Sequence, residues 1–544
     1  MPSLRLNQLD TFAGLQQHAT IMDHPDQHLR RLLETPHRLK KYSVRGGGLF
    51  MDFSRQRLND RTLELLFTLE EQLALRKRFN RMCQGDRINV TEKREVLHTA
   101  TRYFGKQPIM VRGQDIMTGI RRVRDQIKRF SEQVHSGEIK SASGGPFRHV
   151  VVIGIGGSYL GTEFVSTALA VHADKGITLH YLSNVDSDNF GSVVKAIDPK
   201  TTLWVVISKS YTTAETSANT LLAEQFMRDQ GIDPAKHMVT VTSKGSPGDD
   251  PNRPVLQTFH MFDYIGGRYS VTSAVGGVPL SLYLGYDRFE QFLKGAEQMD
   301  DHTLNAPVEK NIPLIAALVS VWNTTILGYP QQAIIPYAAS LAKLAPHVQQ
   351  LNMESNGKAV DLHGAPLEQP AGVVIFGEPG TNAQHSFFQL AHQGRAFPID
   401  FIGVRTPSCT QYKAPAKGVS NHQELWANLL AQARALAVGR DSEDKARDFP
   451  GNRPSTILIL SDLGPENIGR LLSFYEARTV YEGFIWGINS FDQFGVELGK
   501  KVADGLRGQM AMRNDQPDHP FTGADDISKA YLQFLFGEKS IISV

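Results

Sequence analysis

The sequence has few of the features that indicate a secreted, membrane-spanning or metal-rich protein. It contains only two cysteines, Cys83 and Cys409, so neither a disulfide framework nor a cysteine metal cluster is indicated. The longest helix-like apolar run, residues 312–322, falls short of the roughly 20 residues that cross a bilayer. The first residues lack the apolar core of a signal peptide. These absences predict a reducing, cytoplasmic location.

The sequence also lacks an excess of charge of one sign. The formal net charge is +2 at pH 7, and the basic residues are scattered rather than gathered in a stripe. We therefore expect neither nucleic acid nor a membrane surface as a partner. The hydrophobic fraction of 41% and the charged fraction of 21% are typical of a globular protein. A chain of 544 residues is too long for one hydrophobic core, which predicts two or more domains.

Short apolar runs alternate with helical patterns along most of the chain. The first set of runs comprises residues 149–153, 177–182, 203–207 and 238–242, and the second comprises residues 333–336, 373–376, 398–402 and 456–460. Between the runs lie stretches such as residues 213–228, in which apolar residues recur at helical spacing. Buried strands that alternate with helices indicate an α/β fold with doubly wound parallel sheets.

The two sets of runs predict two α/β domains, at residues 118–290 and 291–510. Residues 1–117 are expected to form a helical N-terminal arm and a segment that packs on the larger domain. Within that arm, short helices are expected up to about residue 55. Residues 511–544 are expected to form a C-terminal arm that ends in a helix.

Glu354 is the first candidate catalytic residue. It lies between small and amide-bearing residues in the segment QQLNMESNGK, residues 349–358. A glutamate carboxylate is ordinarily ionised at neutral pH and can accept a proton, and a general base must do so from a fixed position. From these residues alone, the alternative is that Glu354 caps a turn or pairs with Lys358.

A glycine-rich segment, GIGGSYLG at residues 154–161, follows the first predicted strand. Tyr159 stands where the dinucleotide pattern G-x-G-x-x-G needs its third glycine, so that pattern fails. Glycines still let a backbone approach an anion at the start of a helix. The segment is therefore either an anion-binding turn or a tight strand-to-helix turn without a ligand.

A cluster of hydroxyl groups, SKSYTTAET at residues 208–216, follows the third predicted strand. Ser208, Ser210 and Thr213 could bind a phosphate together with the free N–H groups of the helix that begins there. N-capping alone requires one such residue and not a cluster. A phosphate monoester is therefore favoured, and the absence of a Walker pattern argues against a nucleoside triphosphate.

Three further segments carry charged or titratable residues. Arg268 follows two glycines in GGRYS and either stabilises developing negative charge or pairs with a structural carboxylate. His385 follows a Pro-Gly turn, and a histidine can move protons near neutral pH, although a lone histidine is more often structural. Lys500 ends the segment FDQFGVELGK, where it could also offset the dipole of a helix C-terminus.

In this order and at these separations, the segments resemble the glucose-6-phosphate isomerase family from about residue 50 to 510. The GGRYS and FDQFGVELGK segments are highly specific to that family. The resemblance implies two sugar-isomerase-type (SIS) α/β domains in a homodimer. It also implies the reversible conversion of D-glucose 6-phosphate to D-fructose 6-phosphate in glycolysis and gluconeogenesis, with no cofactor and no metal.

The resemblance also assigns roles to individual residues. Glu354 would be the base, supported by Arg268, His385 and Lys500, and His385 would act in the site of the neighbouring subunit. Gln350 would orient the substrate. The substrate-binding residues implied are Gly157, Ser158, Ser208, Lys209, Ser210, Tyr211, Thr212, Thr213 and Gln350.

The sequence alone leaves other activities open. Another aldose–ketose isomerase, acting for example on mannose 6-phosphate, or a bifunctional variant would use similar residues. A sugar-phosphate sensor without turnover is disfavoured because the proposed acids and bases are all present. A dehydrogenase is disfavoured because the glycine pattern fails. Tyr159 and Thr162 depart from the residues common in the family and could alter one wall of the pocket.

Overall fold

The computed structural model describes residues 5–412, 418–538 and 541–542. The chain divides into two compact units, Met1–Phe491 and Asp492–Val544. Among the described residues, no helix is both long enough and apolar enough to cross a membrane. The domain boundaries expected near residues 117, 290 and 510 stay predictions.

The strands form sheets of six, five and two strands. In chain order they are β1 Ser43–Gly46, β2 Leu49–Arg55, β3 Met110–Val111, β4 Gln114–Asp115, β5 His149–Ile153, β6 Thr178–Leu182, β7 Thr202–Ile207, β8 Met238–Ser243, β9 Gln257–Met261, β10 Gln331–Pro336, β11 Val374–Phe376, β12 Ile399–Val404 and β13 Ser455–Leu460.

The α-helices of the described residues cover both faces of the two large sheets or form the arms. They are α1 Asp10–Met22, α2 Leu29–Leu32, α3 Arg38–Lys41, α4 Asp60–Leu73, α5 Leu75–Cys83, α6 Met117–Ser136, α7 Leu160–Ala168, α8 Ser187–Lys195, α9 Ala214–Asp229, α10 Ala274–Leu284, α11 Tyr286–Asn305, α12 Ile312–Val321, α13 Leu344–Gln349, α14 Phe388–Gln393, α15 Asn421–Val438, α16 Pro465–Trp486, α17 Glu497–Asp515 and α18 Asp526–Leu535.

The first large sheet has the strand order β6-β5-β7-β8-β9, and every neighbouring pair is parallel. Every residue of β7 is buried, as expected for a central strand with helices on both faces. The four runs predicted from the sequence are confirmed. The edge strand β9 was missed because only Phe259 among its residues is fully buried.

This strand order creates a natural binding crevice. The second strand of the sheet, β6, lies on one side of β5, and the third, β7, lies on the other. The chain therefore leaves β5 and β7 toward opposite faces of the sheet, and ligands bind at such a switch point, beyond the carboxyl ends of the strands. The glycine-rich and hydroxyl-rich segments follow β5 and β7 directly.

The second large sheet has the strand order β1-β2-β13-β12-β10-β11. Strands β10 to β13 are parallel where they pair, which confirms the second set of predicted runs and the α/β class. Strand β2 pairs antiparallel with both β1 and β13. The expectation of only short helices up to residue 55 was wrong in this respect, because residues 43–55 form a hairpin that extends the sheet.

The second unit contains α17 and α18. The turn between them is held by Gln509, whose Oε1 lies 2.9 Å from His519 Nε2 and accepts a bond from the Gly523 amide at 3.2 Å. The rings of Phe521 and Phe536 lie 5.5 Å apart within the same unit. The C-terminal helix predicted near residues 527–536 is confirmed as α18.

A buried ionic cluster joins helices in the first unit. Arg102 Nε donates to Asp300 Oδ2 of α11 at 2.6 Å, and its Nη1 binds the carboxylate of Glu476 on α16. The Arg102 side chain is 1% exposed and that of Glu476 is fully buried. Burial raises the pKa of Glu476 to about 7, against the opposing effect of Arg102. The two carboxylates therefore depend on one guanidinium for their charge compensation.

We expect Arg102→Ala to lower the stability of the protein by roughly 3–5 kcal/mol, because it leaves buried carboxylates without a partner. The surface variant Arg61→Ala, which loses an ion pair with Glu64 at 3.2 Å between two exposed side chains, is the control and should cost at most about 1 kcal/mol. Thermal unfolding followed by circular dichroism compares the two. Equal melting temperatures would contradict this account of the cluster.

Candidate active site

The loops after β5 and β7 lie side by side because the two strands are paired. A Cβ atom built on Gly154 would lie 3.2 Å from the carbonyl oxygen of Ile207. The buried Ser208 hydroxyl accepts a bond from the Tyr211 amide at 3.1 Å, and the Thr212 hydroxyl donates to Ser210 Oγ at 2.8 Å. These bonds fold the hydroxyl-rich segment into a tight turn at the end of the sheet.

Helix α9 begins directly after this turn. Thr213 is its N-cap residue, but its side chain makes no capping hydrogen bond. The first N–H groups of a helix have no partner within the helix and favour an anion. The turn and the start of α9 therefore offer hydroxyl and amide donors to one negatively charged group.

Lys209 connects this turn to the segment that carries Arg268. Its ammonium donates to the carbonyl oxygens of Asp263 at 2.9 Å and Ile265 at 3.3 Å. It also lies 3.6 Å from the Asp263 carboxylate. Burial lowers the pKa of Lys209, against the opposing effect of Asp263. The lysine thereby holds the two segments together.

The glycine-rich segment packs directly against the backbone of the GGRYS segment. A Cβ atom built on Gly157 would lie 2.2 Å from the carbonyl carbon of Gly267, so no larger residue fits there. The Ser270 hydroxyl lies 3.2 Å from the Gly157 carbonyl oxygen and donates to it. Gly156 has φ of +59°, and a Cβ atom on it would lie 3.0 Å from Gln350 Nε2. Three sequence segments therefore meet at these glycines.

Glu354 lies where these segments meet. Its Oε1 forms an ion pair with Arg268 Nη1 at 3.2 Å, and its Oε2 accepts a bond from Gln350 Nε2 at 2.8 Å. The Glu354 side chain is 21% exposed, whereas that of Arg268 is 1% exposed. The carboxylate thus borders the open side of the site, with the guanidinium behind it. The Lys358 ammonium donates to the backbone carbonyl of Glu354 at 3.0 Å.

The chain presents Gln350 and Glu354 through an unusual helical turn. Helix α13 continues into a π-helical turn, Gln350–Glu354. Such turns are rare and are found mostly at functional sites. Gln350 Oε1 is buried and has no hydrogen-bond partner among the described residues, so this amide can accept a bond from a ligand while its nitrogen binds Glu354.

Two serines that the sequence did not indicate hold Arg268 in place. Arg268 Nε donates to Ser355 Oγ at 2.6 Å, and Nη2 donates to the Ser490 carbonyl oxygen at 2.6 Å. The hydroxyls of Tyr269 and Ser355 lie 3.0 Å apart. Ser355 stands within the segment of residues 349–358, and Ser490 directly precedes the FDQFGVELGK segment. No pattern in the sequence distinguished them from neighbouring polar residues.

Within the described residues of the first unit, no hydrogen bond or ion pair joins His385 to Glu354. His385 is exposed at the end of a short turn, Asn382–His385, and its side chain makes no hydrogen bond within the described part of the chain. The neighbouring Gln384 side chain is fixed by the Tyr337 hydroxyl at 3.0 Å. Lys500 is exposed on α17 of the second unit. The roles assigned to His385 and Lys500 stay predictions.

The arrangement offers a carboxylate base, a guanidinium that stabilises negative charge and a set of anion donors. Within residues 5–412, 418–538 and 541–542, no group of three or more His, Cys, Asp or Glu side chains is arranged to hold a metal ion. The carboxylate and the donors around it can carry out proton transfer on an anionic substrate.

Comparisons with known proteins identify the family of the chain. The sequence model of the phosphoglucose isomerase family matches residues 52–524. The glucose-6-phosphate isomerase of Desulfosudis oleivorans is 58% identical over 542 residues, which cover 99% of each chain. The cytosolic glucose-6-phosphate isomerase of Arabidopsis thaliana is 43% identical over 535 residues, 94% of each chain.

A solved structure gives the same result for the fold. The crystal structure of a glucose-6-phosphate isomerase from Chlamydia trachomatis matches with a TM-score of 0.89 and 37% identity, over 98% of this chain and 99% of that one. The match of the family model over most of the sequence, together with these relatives, leaves one assignment: the chain belongs to the phosphoglucose isomerase family.

Proposed function

We propose that the chain catalyses the reversible isomerisation of D-glucose 6-phosphate to D-fructose 6-phosphate, the aldose–ketose step of glycolysis and gluconeogenesis. The observation that carries this proposal is the ion pair between Arg268 and Glu354. The Glu354 carboxylate borders the open side of the site. The names of the relatives support the substrate, and the cytosolic names among them support a cytosolic location.

The phosphate group binds at the turn after β7. The hydroxyls of Ser208, Ser210, Thr212 and Thr213 and the first amides of α9 surround it, with the backbone of Gly157 and Ser158 on the other side of the crevice. Tyr211, which has φ of +56°, and Lys209 fix the shape of this turn. The binding energy of the phosphate is remote from carbons 1 and 2, so it can be used to orient them.

The isomerisation proceeds through a cis-enediol after the sugar ring opens. Glu354 takes the proton from carbon 2 and returns it to carbon 1. Arg268 stabilises the negative charge that develops on the oxygens, an effect that often supplies a large share of catalysis. Gln350 orients the substrate through its amide. His385 and Lys500 move protons to and from the ring oxygen and the carbon 1 hydroxyl.

The active form is a homodimer in which His385 serves the site of the neighbouring subunit. The exposure of the His385 ring, and the absence of a hydrogen-bond partner for it within the described residues, support this role. The Tyr337 hydroxyl holds the side chain of the preceding residue, Gln384. The exposed side chain of His385 is therefore available to a second chain.

We expect Glu354→Gln to lower turnover by at least about 100-fold, because the amide cannot accept the carbon 2 proton. Its affinity for a 6-phosphorylated sugar alcohol, which has no carbonyl to isomerise, should change little. Steady-state kinetics and calorimetry measure the two quantities. Glu70→Gln, which alters a buried glutamate paired with Arg76 at 2.9 Å, is the control. Turnover like that of the wild type in Glu354→Gln would remove Glu354 from the role of base.

We expect Thr213→Val to raise KM for glucose 6-phosphate by about 10-fold, with a smaller effect on kcat. The reason is the loss of one hydrogen bond to a charged phosphate, worth roughly 1.5 kcal/mol or more. Thr220→Val, which removes a hydroxyl that donates to the Thr216 carbonyl oxygen at 2.7 Å, is the control within α9. An unchanged KM in Thr213→Val would place the phosphate elsewhere.

We expect mixed dimers of Glu354→Gln and His385→Ala chains to regain activity that neither variant has alone. If His385 acts in the neighbouring site, one of the two sites in each mixed dimer has an intact Glu354 and an intact His385. Subunits are exchanged by mild denaturation and refolding, and each variant treated alone is the control. A mixture that forms dimers by light scattering but stays inactive would show that His385 acts within its own chain.

A further inference from the structure

Glu482 on α16 lies directly behind the π-helical turn that carries Glu354. Its Oε2 accepts hydrogen bonds from Asn352 Nδ2 at 2.6 Å and from Asn356 Nδ2 at 3.3 Å. These asparagines stand two residues before and two residues after Glu354 in the sequence. One buried carboxylate oxygen therefore binds side chains on both sides of the proposed base, and Asn356 Nδ2 also donates to the Thr479 carbonyl oxygen at 3.1 Å.

The other oxygen of Glu482 is fixed from behind by Arg478. Arg478 Nε donates to Glu482 Oε1 at 2.9 Å, and Nη1 donates to Asp400 Oδ2 of β12 at 2.6 Å. Burial alone would lower the pKa of Arg478, but Asp400 and Glu482 raise it above its ordinary value. The guanidinium therefore stays charged, and Glu482 is connected through it to the second large sheet.

The same network reaches Arg268. Asn356 Oδ1 accepts a bond from Ser490 Oγ at 2.7 Å, and the Ser490 carbonyl accepts the bond from Arg268 Nη2 at 2.6 Å. Asn352, Asn356 and Ser490 are all buried. The orientation of Arg268 therefore depends on Ser490, whose hydroxyl binds Asn356. Glu482 in turn binds Asn356, which lies two residues after Glu354.

The polar support lies at a π-helical turn, a rare departure from the regular α-helix that is frequent at functional sites. Hydrogen bonds to an ionised group are roughly twice as strong as those between neutral groups. Asn352 Oδ1 has no partner among the described residues, so the bond of its nitrogen to Glu482 is the main polar contact of this side chain, with Thr479 Oγ1 more distant at 3.4 Å.

We propose that Glu482 is a positioning residue for catalysis: through Asn352 and Asn356 it sets the placement of the Glu354 carboxylate and the Arg268 guanidinium. This inference rests on the roles proposed above for Glu354 and Arg268. Glu482 contacts neither the two reacting carbons nor the phosphate loops after β5 and β7. Its loss should therefore affect the chemical step more than the binding of the sugar phosphate.

The test is Glu482→Gln, which keeps the shape of the side chain but removes its charge. We expect kcat to fall by roughly 10- to 100-fold, because small misplacements of catalytic groups have effects of this size. KM for glucose 6-phosphate should stay within about 2-fold, since the phosphate donors lie on another sheet. Steady-state kinetics well below the melting temperature of each variant measure both constants.

A second substitution tests the mechanism of the effect. In the double variant Asn352→Asp with Glu482→Gln, the donor and the acceptor exchange places, and the net charge of the pair is unchanged. The introduced glutamine then donates to the introduced aspartate. The exchange restores the bond at position 352, whereas Asn356 Nδ2 regains no acceptor on residue 482. We therefore expect it to restore part of the lost kcat, which a general loss of packing does not predict.

The matched control is Glu476→Gln. Glu476 is a fully buried glutamate on the same helix, but its partner is Arg102 and not an asparagine of the π-helical turn. The Glu476→Gln substitution should lower the melting temperature and leave kcat near the wild-type value. A loss of kcat in Glu476→Gln equal to that in Glu482→Gln would reduce Glu482 to a structural residue.

Two further results would overturn the proposal: a normal kcat in Glu482→Gln, or a double variant that regains the melting temperature but no part of kcat. Glu354→Gln is measured in parallel. If that variant keeps its turnover, the assignment of the base fails. If it loses turnover while Glu482→Gln keeps kcat, only the positioning role of Glu482 fails.

Discussion

The ion pair between Arg268 and Glu354 is the interaction on which the site depends. A buried guanidinium needs acceptors for its N–H groups, and Arg268 finds them in the Glu354 carboxylate, the Ser355 hydroxyl and the Ser490 carbonyl. These acceptors come from two parts of the chain that are more than a hundred residues apart. Removing any one of them would take an acceptor from a buried guanidinium, which is costly. The position of the Glu354 carboxylate therefore depends on how these two parts of the chain pack together in the first unit.

The fold brings the remaining parts of the site together through two simple constraints. The strand order of the first sheet places the ends of β5 and β7 side by side, and the loops that follow them form the proposed anion site. The close approach of Gly157 to Gly267 then places this crevice against the segment of Arg268. A side chain at Gly157 would collide with the backbone of Gly267 and push the two segments apart.

Much of this arrangement could be predicted from the sequence. Continuous apolar runs identified the central strands because such strands are buried on both faces, and the specific segments around Arg268 and Glu354 identified the site. The hairpin of β1 and β2 was missed because its residues alternate less clearly and follow a segment rich in charged residues. Ser355, Ser490 and Glu482 could not be found, because their roles come from contacts between distant residues and not from a local pattern. The π-helical turn at Gln350–Glu354 likewise has no sequence signature.

The central claim is that Glu354 moves a proton between carbons 2 and 1 through an enediol. The most direct measurement follows glucose 6-phosphate in deuterated water by NMR, with a chelator present. The account predicts deuterium at carbon 1 of the fructose 6-phosphate and at carbon 2 of the recovered substrate, to the extent that the proton held by Glu354 exchanges with solvent, and it predicts loss of this incorporation in Glu354→Gln. Incorporation at the wild-type rate in Glu354→Gln would contradict the role of Glu354 as the base. Activity that appears only after a metal is added would contradict it as well.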